Sequence, residues 1–247
     1  MFKRLSAIIL IIFLLCCSSA FADKTVTANG VGKETKELSF EIVDTGLNYW
    51  PSSSSTVCLA YVAVKNTDSK YIYLNDANFD FEDDSGHLIE SAYMVSRAPN
   101  VIAPNEVGYF YVCGINGGYL DENVNTKNGV NLVAQFSLQE SHEAVDSFEV
   151  TDTSMSFEDM FNSKYPVIKG RIKNNTDEDY ESMNYIVATL KDADDKILWI
   201  EGTNIDGLYS SATVGCSIDM MFLPENFGID CIKNYEIIAK PHYYQYK

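Results

Sequence analysis

The sequence predicts an all-β protein built as two tandem antiparallel β-sandwiches, and three observations predict it. The first is a repeat. Ser39-Phe40-Glu41-Ile42-Val43-Asp44-Thr45 returns as Ser147-Phe148-Glu149-Val150-Thr151-Asp152-Thr153, and Val64-Lys65-Asn66-Thr67-Asp68 returns as Ile172-Lys173-Asn174-Asn175-Thr176-Asp177. The two words stand 26 positions apart in both copies (66 − 40 and 174 − 148), so one unit is duplicated with a period of 108 (148 − 40). That is a domain-sized period, well above the ~20–50 residues of solenoid repeats. The second observation is strict apolar alternation over short segments, which puts successive side chains on opposite faces of a strand. The third is turn chemistry recurring every ~8–12 residues, with few long helical periods.

In chain order, residues 23–36 are polar and carry Gly30 and Gly32, which predicts a flexible lead-in. The first domain is expected over 37–145. Phe40 and Ile42 mark its opening strand, and Asn48-Tyr49-Trp50-Pro51 then runs into a loop of four serines, Ser52 to Ser55. Val57 to Lys65 is the clearest strand, with Cys58, Ala60, Val62 and Val64 on one face and Leu59, Tyr61 and Ala63 on the other. Asn66 to Ser69 is a turn, because Asn and Asp side chains bond their own backbone. Tyr71 to Phe81 and His87 to Met94 flank the acidic turn Glu82-Asp83-Asp84-Ser85-Gly86. Val107 to Val112 places Tyr109, Tyr111 and Cys113 on one face, Asn116 to Gly129 is a long polar loop, and Leu132, Ala134, Phe136 and Leu138 alternate in the closing strand.

Polar composition between Gln139 and Asp146 marks the boundary, and the second domain is expected over 146–247. Tyr165 to Lys173, Tyr185 to Leu190, Ile197 to Ile200, Val214 to Phe222 and Tyr235 to Ala239 are its strands. Asp192-Ala193-Asp194-Asp195-Lys196 answers the acidic turn of the first copy. Short helical turns are expected at Met155 to Asn162 and at Glu225 to Cys231.

Residues 1–22 have the form of a secretory signal peptide. Lys3 and Arg4 precede an apolar run to Leu15, and Ala20-Phe21-Ala22 supplies a cleavage site before Asp23. The run is shorter than the ~20 residues that span a bilayer, so no membrane span is expected after cleavage. Cys16 and Cys17 raise a lipoprotein alternative, but neither follows a small residue. The formal charge of −17 becomes −19 without Lys3 and Arg4. Such a charge repels phosphate backbones, and lysines and arginines are scattered singly, so no nucleic-acid partner is expected. The chain reads as secreted, or as a periplasmic or cell-envelope protein.

Phe148-Glu149-Val150, Gly170-Arg171-Ile172-Lys173-Asn174-Asn175-Thr176 and Leu190-Lys191-Asp192-Ala193-Asp194-Asp195-Lys196-Ile197 resemble the FxLYD domain, an immunoglobulin-like module of bacterial secreted proteins and lipoproteins. Lys191 stands at that pattern's Tyr position and Asp195 at its Gly position. The first domain is similar to related immunoglobulin-like bacterial modules. The resemblance implies two tandem immunoglobulin-like sandwiches outside the cytoplasm, and it implies no catalytic residue and no cofactor.

Four cysteines follow the leader: Cys58, Cys113, Cys216 and Cys231. An even number in an exported protein predicts disulfides, and four cysteines allow three connectivities. Pairing within domains, Cys58–Cys113 and Cys216–Cys231, is the simplest. Zinc is disfavoured because no pair has C-x₂₋₄-C spacing. The acidic clusters Asp80–Asp84, Asp177–Asp179 and Asp192–Asp195 lack the ligand register of a calcium loop and read as solvated turns. His87, His142 and His242 fall in a turn, the linker and the tail, and no G-x-S-x-G elbow occurs. The chain therefore reads as a non-enzymatic binding or scaffold protein with an unknown protein or glycan partner in the cell envelope. The alternative is a hydrolase or metal-handling protein using acidic residues at a sandwich rim. Tyr49 and Trp50, in a serine-rich loop, are the candidate binding residues, with Tyr243, Tyr244 and Tyr246 as further aromatics. The competing reading of Trp50 is a plug at one end of a sandwich.

Overall fold

A computed structural model describes residues 26–32, 38–51, 55–92, 94–113, 119–121, 129–160, 163–221, 223–224 and 227–242. The leader, Ser52 to Ser54 and the terminal tyrosines lie outside these residues. The described chain is all-β and sandwich-like, with a single 3₁₀ turn at Ile229–Cys231. Its strands are β1 (Val26–Gly32), β2 (Phe40–Pro51), β3 (Ser55–Asn66), β4 (Ile72–Glu82), β5 (Leu88–Ser91), β6 (Ser96–Ala98), β7 (Val101–Ile102), β8 (Val107–Cys113), β9 (Tyr119–Asp121) and β10 (Asn131–Glu140). There follow β11 (Glu149–Met160), β12 (Ser163–Lys173), β13 (Asn184–Lys191), β14 (Ile197–Ile205), β15 (Thr213–Asp219) and β16 (Asn234–Pro241).

They form four sheets. The first runs β1-β10-β4-β5 with β7 on β4, and the second runs β2-β3-β8-β6 with β9 on β3. The third runs β14-β13-β16 and the fourth β11-β12-β15. Every pairing is antiparallel except that of β1 with β10. The order β2-β3-β8 recurs as β11-β12-β15, and β10-β4-β5 recurs as β16-β13-β14.

The repeated words mark equivalent joints in the two copies. Glu41 pairs with Lys65 and Glu149 with Lys173, and each ladder slips within the next few residues, after Ile42 and after Thr151. Asn66 and Asn174 are both fully buried. Asn66 Nδ2 donates to the Lys70 and Ile102 carbonyls at 2.7 and 3.0 Å, and Asn174 Nδ2 donates to the Glu178 and Leu208 carbonyls at 2.7 and 3.1 Å. Their Oδ1 atoms accept the amides of Asp68 and Thr176. A buried amide so satisfied ties a strand end to two neighbouring segments without leaving an unpaired group.

The second sheet shows how the layers stack. Cys58, Ala60, Val62, Phe110 and Val112 pack with Leu74, Phe79, Phe81 and Phe136 of the first sheet. The opposite face, with Leu59, Tyr61, Tyr109 and Tyr111, joins a core with Ile186, Val187 and Ile200 of the third sheet and Ile168, Ile172 and Ile218 of the fourth. The third sheet is therefore apolar on both faces, and Ile186 through Leu190 are all buried. Both of its faces lie within that one core.

Three local expectations are corrected. Val26–Gly32, within the expected lead-in, is strand β1, because the edge of β10 offers it a ladder. A Cβ at Gly30 would lie 2.6 Å from the Phe136 ring and 2.8 Å from that of Phe40, so only glycine fits there. Tyr119–Asp121, within the expected polar loop, pairs with Ser55–Val57. Met155–Met160 is strand rather than helical turn, since β12 supplies partners from Ser163 to Ile168. Pairing overrides weak local preference at such sites. Among the described residues no helix is long and apolar enough to cross a membrane.

Candidate functional site

No disulfide joins Cys58, Cys113, Cys216 or Cys231 in this structure. For the first expected pair the register gives the reason. Leu59 lies opposite Cys113, so Cys58 faces the core of the first two sheets while Cys113 faces the third sheet with Tyr109 and Tyr111. Side chains on opposite faces of a sheet cannot reach the Cβ approach that a disulfide needs. Burial, with Glu201 and Cys58 adding, pushes the Cys113 thiol far above its ordinary range. Cys216 and Cys231 are both half-buried at the edge of the core shared by the third and fourth sheets.

Tyr49 and Trp50 do not share a surface. Tyr49 pairs with Cys58 and packs, half-buried, on the core of the first two sheets. Trp50 points the other way, with its ring centroid 5.7 Å from Trp199 and 5.5 Å from Phe227. Trp199 and Phe227 are themselves 6.0 Å apart, so the three rings form a seam between the second and third sheets. The Trp199 indole N–H donates to Glu201 Oε2 at 3.0 Å.

The acidic turns are hairpin geometry. Asp83 Oδ1 accepts the amides of Ser85 and His87, and Asp192 Oδ1 accepts those of Asp194 and Lys196 at 2.9 and 3.0 Å. The His87 amide leads the contacts that hold the Asp83 carboxyl below the usual carboxylate range. Gly86 and Asp195 occupy the left-handed position of the two turns, at φ 77° and 60°. Among the described residues no group of three or more His, Cys, Asp or Glu side chains could hold a metal ion.

A cleft of 470 Å³ lies where the second and third sheets diverge, at the end of the interface away from Trp50. Ala63 and Val107 line it on one side and Ile197 and Ile238 on the other. Four carboxylates also line it: Asp44, Glu106, Asp195 and Glu236. Asp44 accepts the Tyr61 hydroxyl and the Thr45 amide, both at 2.8 Å. Glu236 is paired with Lys191 at 2.7 Å. Glu106 accepts the Ala103 amide, the Ser147 hydroxyl and the ammonium of Lys240. Tyr109 is only 4% exposed, yet lines this cleft with no hydrogen-bond partner for its hydroxyl among the described residues. Burial first, then Glu236 and Asp44, raise its phenol above the ordinary tyrosine range.

Behind the cleft stands Lys240, 1% exposed and absent from the sequence-based expectations. Its ammonium donates to Glu106, to the Val145 carbonyl at 2.9 Å and to the Val101 carbonyl at 3.1 Å. Three acceptors use all three donors. A lone lysine at the end of Tyr235-Glu236-Ile237-Ile238-Ala239 carries no sign of this in sequence. Tyr109 was legible only as one member of an apolar strand face.

Compared with protein-family models and with curated proteins, the chain matches none.

Proposed function

We propose that the chain is an exported, non-enzymatic binding module made of two tandem immunoglobulin-like sandwiches related to the FxLYD type. Its ligand enters the cleft between the second and third sheets. The observation that carries this reading is the cleft itself, with a buried hydroxyl that no described residue engages and apolar walls on both sides. Pockets of a few hundred Å³ with apolar walls and a few polar groups are the usual form of small-ligand sites. The recurrence of strand order and of the Asn66 and Asn174 joints supports a duplicated sandwich. Three of the lining carboxylates already serve structural partners, namely Tyr61, Lys240 and Lys191. That arrangement favours recognition over catalysis, which needs a nucleophile or base poised at a reacting atom.

The rival reading, a hydrolase or metal-handling protein, draws on Asp195, which brings the second acidic turn to the cleft. A thermal-shift screen of the mature chain separates the two. The binding reading predicts that some compound raises Tm and that Val43→Trp, which fills the cleft from a half-exposed position, abolishes the rise. Turnover of ester, amide or glycoside substrates that Val43→Trp abolishes would contradict it.

A further inference from the structure

We propose that this cleft binds an ammonium group on a short aliphatic stem, held by Asp44, Asp195 and the Tyr109 hydroxyl. The inference rests on the binding reading above and names the chemistry of the ligand. Charge sets the sign. Of the four lining carboxylates, Glu236 is balanced by Lys191 and Glu106 by Lys240, while no ion pair among the described residues involves Asp44 or Asp195. The cleft thus carries two uncompensated negative charges on a protein whose formal net charge is already −17. An anion would meet repulsion, and Lys191 is occupied by Glu236.

Hydrogen bonding points the same way. Each Asp44 oxygen accepts one protein donor, and a carboxylate has about four acceptor positions. Tyr109 offers an unengaged phenolic oxygen in a nearly dry setting, where a donor gains most from pairing. An ammonium has three donors and no acceptor, so it matches two carboxylates and a hydroxyl. Val107 and Ile238 line the same space and suit a methylene stem. A divalent metal fits less well, because among the described residues no group of three or more His, Cys, Asp or Glu side chains could hold one.

The test is calorimetric titration of the full mature chain with 1,5-diaminopentane and with Nα-acetyl-lysine amide, beside 1,5-pentanediol and glutarate. One-to-one saturation by at least one amine is expected. Asp44→Asn and Tyr109→Phe should each weaken it about tenfold or more, the size of one lost charge-assisted hydrogen bond. Because those two sites are packed, the exposed Asp195→Asn serves as a folding-neutral check and should weaken binding severalfold. Lys191→Met should tighten it severalfold by releasing Glu236, a gain that a merely structural role for Lys191 would not produce. Binding of the diamine alone identifies a free amine, and binding of both identifies lysine side chains of a partner as well; either supports the proposal. No saturation by either amine overturns it, as does affinity unchanged in both Asp195→Asn and Lys191→Met. Binding of glutarate or the diol that Val43→Trp abolishes would overturn the ammonium assignment while leaving the binding reading intact.

Discussion

Lys240 joins parts of the chain that share no sheet. It sits on β16, and its three acceptors belong to the β7 strand, the turn before β8 and the segment before β11. Burial pulls its ammonium below the ordinary lysine range, while Glu106 pulls it back. Removing one partner of such a pair strands the other. Lys240→Met should therefore lower unfolding free energy by about 3 kcal/mol, the low end for a buried pair, because Glu106 is itself a third exposed. Glu106→Gln should cost at least as much, because the Lys240 ammonium it leaves without a counter-charge is only 1% exposed. Urea unfolding checks both, and a loss under about 1 kcal/mol for either, the scale of a surface pair, would contradict the assigned role. None of this was legible in the sequence, because the partners stand 95 to 139 positions away. Asn66 and Asn174 differ in kind. They lay inside the repeated words and read as turn residues, which the bonds of their Oδ1 atoms to the Asp68 and Thr176 amides bear out, while their burial and their bonds to Ile102 and Leu208 were not legible.

Strands with period-two alternation were legible from the residues alone: β3, β8 and β10 carry an apolar face toward a fixed core. Elements whose ladder comes from a distant edge were not. β1 depends on β10 and the outer half of β11 depends on β12, so their own residues show no alternation to read. The aromatic seam belongs to this scale too. Trp50 is the penultimate residue of β2, six residues beyond Asp44, about 20 Å at strand rise, so seam and cleft occupy opposite ends of one interface. Trp50→Ala should cost about 2 kcal/mol, below the range for fully buried aromatics because Trp50 is half-buried. It should leave cleft affinity within about twofold. Calorimetric unfolding and ligand titration of the same variant check the pair of outcomes, and lost affinity with unchanged stability would return Trp50 to the role of binding residue.

Across the whole molecule the second and third sheets act as facing floors, and tyrosines fill the space between them. Tyr61, Tyr109 and Tyr111 are each at most 4% exposed, and burial leads the causes that raise their phenols above the ordinary value. Their sign is clear. The folded chain keeps protons that the unfolded chain releases above about pH 10, so stability is fully present below that pH and falls as pH rises past it. Three such groups imply a loss of about 4 kcal/mol per pH unit above that point. Absorbance at 295 nm should show their phenolates appearing only with unfolding; all 16 tyrosines titrating near pH 10 in a folded chain would contradict this. That Tyr185 to Leu190 and Ile197 to Ile200 are strands was legible, but not that both would be buried against the second sheet. No local pattern names a partner sheet. The claim that most depends on that stacking is the location of the binding site. A ¹H–¹⁵N correlation map of the protein titrated with 1,5-diaminopentane is the decisive test. Shifts are expected at the amides of Asp44, Tyr109, Asp195 and Glu236, with Trp50 and its neighbours still. Shifts centred on Trp50 and Trp199, or none at saturating amine, would contradict it.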